Sequence, residues 1–166
     1  MSLDTTSILL SVVVGIGATV IMDAWATLMK LFFSMTSLNY CLVGRWLLHL
    51  RHGTFIHNTI INTEAQSMEC ALGWLAHYVT GVVFALLLTL ITAGQWLQGP
   101  DPVSALLLGI ATVAFPFFIL QPCLGFGIAG NLTPKPVVTR LKSLMAHASF
   151  GVGLYLSALL AGMLLA

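Results

Sequence analysis

An all-α integral membrane fold, a bundle of four spanning helices, is what this sequence predicts, and three observations predict it. Hydrophobic residues fill 58% of the 166 positions and charged residues only 7%, against about 25% charged in a soluble domain. Four apolar runs, at about 7–33, 71–93, 103–121 and 142–165, each approach the roughly 20 residues a helix needs to cross a bilayer core of about 30 Å. All six Lys and Arg fall at or in the connections between helices one and two or between three and four.

The first run opens near Ser7 without a basic n-region or a small-residue cleavage site, so it reads as a retained helix rather than a signal peptide. The connection that follows, about 34–70, is far longer than the 2–8 residues usual in bundles and is expected to carry structure. Within it Leu42, Val43, Trp46, Leu47 and Leu50 recur at helical spacing beside Arg45, His49 and Arg51. That pattern predicts an amphipathic helix over about 38–51 lying at the membrane interface. Tyr40, Trp46 and Trp74 would then sit at headgroup depth.

The second run ends at the short Gln95–Pro102 turn, and Pro100 and Pro102 set off the third helix. Pro134 and Pro136 stand where a fourth helix would begin, since proline is tolerated in a first turn. Lys30, Arg45, Arg51, Lys135, Arg140 and Lys142 then share one side of the membrane. By the positive-inside rule that side is cytoplasmic, which puts both termini and the short Gln95–Pro102 turn outside. The length suits one transmembrane domain over residues 1–166, with no linker or low-complexity tract.

Net charge is +1, and six scattered cations supply no clustered basic face for phosphates, so no nucleic-acid role is expected. Cys41, Cys70 and Cys123 lack paired spacing. Neither a disulfide scaffold nor a thiol relay is indicated, and they read as small apolar residues.

An internal echo links Ala76-His77-Tyr78-Val79-Thr80-Gly81-Val82 with Ala146-His147-Ala148-Ser149-Phe150-Gly151-Val152. A fainter one links Ala18-Thr19-Val20 with Ala111-Thr112-Val113. Two parallel hairpins related about the membrane normal would produce both, with His77 and His147 facing each other at equal depth.

Ionisable groups inside spans cost about 2.5–3.5 kcal/mol at a helix centre and mark functional sites by default. Asp23, His77 and His147 are three such groups, and at 1.5 Å per residue all fall in the cytoplasmic half. Gln121 adds a polar group from helix three. Positions four apart share a face, which groups Gly15, Thr19, Asp23 and Thr27; Gly73, His77 and Gly81; and Ser143, His147, Gly151 and Tyr155. The small residues beside each histidine allow close helix packing or leave room for a ligand. A single such group is often only interhelical glue, and convergence of three is what favours a site. His49, His52 and His57 lie on the same cytoplasmic side, as metal ligands or as a solvated polar face, and Glu64 and Glu69 either complete an oxygen-and-nitrogen shell suited to iron or zinc or simply mark the start of helix two. Arg140 stands two turns before His147 and would serve as a positive-inside anchor or hold an anion.

With these residues in view, the chain resembles a family of small bacterial inner-membrane proteins described only as a domain of unknown function. The resemblance rests on Met22-Asp23-Ala24-Trp25, Ser37-Leu38-Asn39-Tyr40, Val43-Gly44-Arg45-Trp46, Gly73-Trp74 with His77-Tyr78, and Gln121-Pro122. It continues through Thr133-Pro134-Lys135-Pro136, Arg140, Ser143-Leu144, His147 and Gly151-Val152-Gly153-Leu154-Tyr155. It implies a four-helix membrane fold and no activity. Asp23, His49, His57, His77, Arg140 and His147 fall on its motif positions, and His52 does not.

Three functional readings follow. The first is a cytoplasm-facing site that binds a small ligand through Asp23, His77, His147, Gln121 and Arg140, or a transition metal, iron or zinc, through Asp23, His77, His147, His49 and His57. Such a site suits a membrane-embedded metal-dependent enzyme, although the sequence does not decide whether the protein is one. The second is a proton- or ion-coupled transporter working as a homodimer through Gly15-x-Gly17 and Gly125-x-Gly127. The third is a b-type haem held by His77 and His147, with a glycine at i+4 from each giving room to the porphyrin edge. An accessory subunit, with the polar cluster as packing only, completes the set.

Overall fold

Each predicted run is a helix in the computed structural model, which describes residues 4–165. Helix α1 (Thr5–Phe33) starts where the Asp4 carboxylate accepts the Ser7 amide at 3.1 Å, and it ends at Ser34 in the left-handed region. Helix α2 (Tyr40–Leu50) forms where the amphipathic pattern predicts a helix, capped by the Asn39 side chain on the Cys41 amide. Helix α3 (Glu69–Ile91) is the second span, and α4 (Gln95–Gln98) occupies the turn after it. Helix α5 (Pro102–Ala111) opens with Asp101 accepting the Ser104 amide and Pro102 in the first turn. It continues through a π-helical stretch, Pro116–Leu120, into the short α6 (Gln121–Cys123). Pro116 has no amide to donate, and the Gln121 amide reaches back five residues to its carbonyl.

Helix α7 (Pro136–Leu165) is the fourth span and begins about six residues earlier than the apolar run at about 142–165. Its first turns carry Arg140 and Lys142, which hydropathy alone leaves out. Four helices are therefore long and apolar enough to cross a membrane, and no strand occurs among the described residues. Large apolar side chains point outward along all of them, Phe32 being 74% exposed. This is a surface suited to lipid and not to water. The protein is an integral membrane protein with an all-α fold.

The chain forms two compact units. The first comprises residues through Thr36, Tyr78–Thr112 and Met145 onward. Its core is Val14, Ala18, Ala85, Leu88, Ala105, Phe150, Leu154 and Ala158, closed at one end by Trp96, whose indole donates to the Asp101 carbonyl at 3.1 Å. Glycines set its helix spacing. A Cβ on Gly15 would meet the Gly81 carbonyl and the Val82 backbone, and one on Gly109 would meet the Gly151 backbone and the His147 carbonyl. Gly17 faces the Ser157 side chain and Gly153 faces the Ala18 backbone. Both hairpins of the internal echo thus use one device, a glycine of the first helix against a glycine of the second. In each the threonine of the fainter echo also turns its hydroxyl onto its own helix, Thr19 to the Gly15 carbonyl at 2.8 Å and Thr112 to that of Gly109 at 2.6 Å.

Gly15 and Gly17 make contacts inside the chain, as do Gly125, against the Asn58 and His57 backbone, and Gly127, against the Asn131 side chain. Of the two uses expected of Gly81 and Gly151, close packing or room beside the intramembrane histidines, packing is the one seen: Gly81 is met by Thr19 and Gly151 by the Ala105–Leu106 backbone.

The second unit comprises Ser37–His77 and Val113–Leu144. Its core is Ile60, Leu120 and Leu124, flanked by Leu38, Leu42, Val43, Trp46 and Phe126. Leu38, Leu42 and Trp46 recur at i+4, so the apolar stripe of α2 is also what anchors the long connection.

Candidate functional site

In the second unit the polar structure is organised by Arg45. Its Nε and Nη2 donate to Glu69 Oε2 and Oε1 at 2.8 and 2.9 Å, and Nη1 donates to the carbonyls of Thr63 at 2.7 Å and Ile60 at 3.2 Å. Both side chains of the pair are 11% exposed, so the guanidinium is held charged and its pKa is raised by the Glu69 hydrogen bond. Glu69 also accepts the Gln66 amide at 2.8 Å. A carboxylate so engaged is not the spare oxygen donor expected of it; the exposed Glu64 lies elsewhere on the connection.

The pair forms because α2 crosses the start of α3 at backbone contact. A Cβ on Gly44 would collide with the Glu69 carbonyl and one on Gly73 with that of Tyr40. At the same crossing Cys41 and Cys70 form a disulfide across 29 residues of sequence. This corrects the reading of the cysteines as unpaired. Their linear spacing carries no pairing signal, because the glycine crossing brings them together.

Arg45 and the α2 crossing fix the strand of connection that returns past α2. The Trp46 indole donates to the Phe55 carbonyl at 2.8 Å. The His57 amide donates to the Cys123 carbonyl at 2.9 Å and the Ile60 amide to that of Leu124 at 3.0 Å. Gly125, at φ +83°, lets this backbone approach so closely.

The result places His57 edge-on to His49 of α2, ring centroids 5.1 Å apart. His57 is 8% exposed. Both of its ring nitrogens, and Nε2 of His49, are buried without a hydrogen-bond partner. Burial lowers the His57 pKa, and the neighbouring His49 lowers it further, so its imidazole is neutral at pH 7. A buried polar atom left unpaired costs about 1–3 kcal/mol. Phenylalanine would fill the same volume without that cost.

A pH dependence follows. With the folded pKa below the ordinary value of about 6.5, the unfolded chain binds more protons than the folded one as pH falls past 6.5. Stability is therefore full above that pH and declines below it. Chelator-treated protein should melt lower at pH 5.5 than at pH 8, and His57→Phe should remove that part of the difference. An unchanged difference in the variant would assign the acid sensitivity elsewhere.

The remaining expected site residues divide between the units. His77 belongs to the second, where it stacks on Tyr40 with centroids 4.0 Å apart and meets the edge of Trp74. Gln121, 7% exposed, donates through Nε2 to Ser143 Oγ at 3.2 Å, and its Oε1 has no partner. Arg140 is exposed and donates to the Ala129 carbonyl at 3.0 Å, which fits an anchor on its own loop. His52 is exposed and accepts from Arg51.

In the first unit Tyr78 donates to Asp23 at 3.1 Å. His147 Nδ1 lies 2.7 Å from Thr112 Oγ1. The same hydroxyl donates to the Gly109 carbonyl at 2.6 Å. Among the described residues no three His, Cys, Asp or Glu side chains gather as a metal-holding group.

A family model described as "Protein of unknown function (DUF2938)" matches residues 12–161, nearly the whole chain. The chain belongs to the DUF2938 family. Neither a curated protein nor a solved structure matches it. The DUF2938 match takes in the Gly15 crossing, the His49–His57 pair and His147. Sequence reasoning missed Cys41–Cys70, Tyr78 as the partner of Asp23 and Thr112 as the partner of His147. The internal echo, which already contains Tyr78 and Thr112, was the signal for the last two.

Proposed function

We propose that this protein is a bacterial inner-membrane protein that binds a transition-metal ion on its cytoplasmic side, with His49 and His57 as the protein ligands. The observation that carries this reading is the three buried, unpartnered imidazole nitrogens on two adjacent rings. Neutral imidazole is a ligand for zinc, iron, copper and nickel, and a neutral His57 needs no proton displaced to bind. Two protein ligands leave coordination positions for water or a substrate, as catalytic sites do, which suits Lewis-acid chemistry at a membrane surface. The orientation, with both termini periplasmic, is supported by the six cations, which lie in the two connections or at the helix ends that adjoin them.

Asp23 and His147, both in the first unit, supply a second reading, a proton relay for coupled transport. The Tyr78–Asp23 and Thr112–His147 hydrogen bonds support it, since each joins a titratable group to a hydroxyl inside a span.

One measurement separates the two. Protein purified in mild detergent without added metal is analysed for iron, zinc, copper and nickel, then titrated with cobalt(II) while its visible absorption is recorded. Near-stoichiometric metal should fall to background in His49→Ala and His57→Ala and persist in His52→Ala. Metal lost in Asp23→Asn or His147→Ala instead would move the site into the spans, and a wild type that binds neither native metal nor cobalt would sink the metal reading.

A further inference from the structure

We infer that Cys41 and Cys70 form a reversible thiol–disulfide switch that locks helix α2 onto the first turn of α3. The inference rests on the cytoplasmic orientation proposed above and is independent of the metal site.

Two observations and the proposed orientation carry it. The first is the bond itself, at the crossing where Gly44 and Gly73 bring two backbones into contact. The second is compartment. A disulfide in a cytoplasmic connection is held in a reducing environment, where such bonds are transient and redox-sensing rather than structural. The third is reactivity and access. Cys41 is in the first turn of α2 and Cys70 in the first turn of α3, positions where the helix dipole favours the thiolate. Cys70 is also exposed.

The chemistry balances with a low-molecular-weight disulfide as oxidant. One cysteine thiolate attacks a sulfur of that disulfide, whose S–S bond breaks to release a thiolate and leave a mixed disulfide on the protein. The second cysteine attacks the protein sulfur of the mixed disulfide, forming Cys41–Cys70 and expelling the second thiolate. Two protein thiols are oxidised, the small disulfide is reduced to two thiols, and the two cysteine protons end on those leaving groups. Excess small thiol runs the sequence backwards. In the reduced state α2 loses its covalent link to α3 and keeps the Arg45–Glu69 pair, the glycine contact, the Tyr40–His77 stack and its apolar stripe, while the Asn39 cap still starts the helix.

The test uses full-length protein carrying Cys123→Ser in membrane vesicles, equilibrated with mixtures of reduced and oxidised glutathione, quenched in acid and reacted with a mass-tagged maleimide. The expected result is two tags at strongly reducing ratios and none at oxidising ones, reversed by added thiol. Amide exchange across residues 40–50 should be several-fold faster on the reducing side, a change absent from Cys41→Ser. Two tags at every ratio, or a transition that leaves exchange unchanged, overturns the switch. Absence of tags even at the most reducing ratio also overturns it. Labelling of the fully reduced protein with an impermeant maleimide in inverted and right-side-out vesicles tests the orientation separately. Reaction only in right-side-out vesicles would place the bond in the periplasm as a permanent staple, whereas reaction in inverted vesicles with no redox transition would retire the switch alone.

Discussion

Arg45→Met should destabilise the protein by about 3–5 kcal/mol, the usual cost of leaving one partner of a buried ion pair without the other. The guanidinium serves both carboxylate oxygens of Glu69 and the carbonyls of Ile60 and Thr63, so its loss strands a buried charge and frees two backbone acceptors together. At 11% exposure for each side chain, water cannot replace what is lost. Thermal unfolding in detergent measures the effect, expected as a fall on the order of 10 °C for a chain this long. The double variant Arg45→Met/Glu69→Gln removes the stranded charge and should recover much of the loss. A melt indistinguishable from wild type in the single variant would place the pair with surface salt bridges, worth about 0–1 kcal/mol.

Gly109→Leu should be comparably damaging, for a steric reason. A Cβ there would lie 2.5 Å from Gly151 Cα, 2.6 Å from its amide nitrogen and 2.7 Å from the His147 carbonyl oxygen. All three are backbone atoms, which cannot swing aside as a flexible side chain does. Overpacking usually costs about 1–3 kcal/mol and sometimes more, and the upper end is expected because α5 and α7 must separate. The Thr112–His147 hydrogen bond should break with them, since it joins the same two segments. Gly162→Ala is the control: nothing lies within 4 Å of its added methyl, and removing glycine from a helix favours folding by about 0.5–1 kcal/mol. If Gly109→Leu and Gly162→Ala melt alike, the glycine crossing does not set helix spacing.

The spans were legible because hydropathy is a local and additive property. A run such as Ala71–Leu90 needs no knowledge of its neighbours to be too apolar for water. Helix α2 was legible for a related reason, since its stripe of Leu42, Trp46 and Leu50 repeats at helical spacing within eleven residues. The caps at Asn39 on α2 and Asp101 on α5 are also local signals. The start of α7 was legible from Pro136 in its first turn, although hydropathy by itself places the apolar run only from about residue 142.

Partnerships behaved differently. Asp23, His77 and His147 stood out as costly residues, but which group answers each was a matter of helix rotation and spacing. Tyr78 meets Asp23 across 55 residues of sequence, and Thr112 meets His147 across 35. The glycines beside the histidines were visible at i+4, and both uses expected of them, packing or ligand space, were compatible with the pattern. Only the neighbouring backbone decided for packing.

By itself the sequence determined that this chain is an all-α membrane protein, where its helices run, and that polar groups are set into them. These follow from the free energy of transferring each segment from water to lipid, a sum over residues that depends little on distant sequence. The tertiary structure decided that Arg45 is spent on Glu69, that Cys41 meets Cys70, and that His49 and His57 come together with unpaired nitrogens. Each of those depends on a close approach of distant backbone, at Gly44 with Gly73 or at Gly125 with Asn58, and such approaches are properties of packed surfaces that no local pattern encodes.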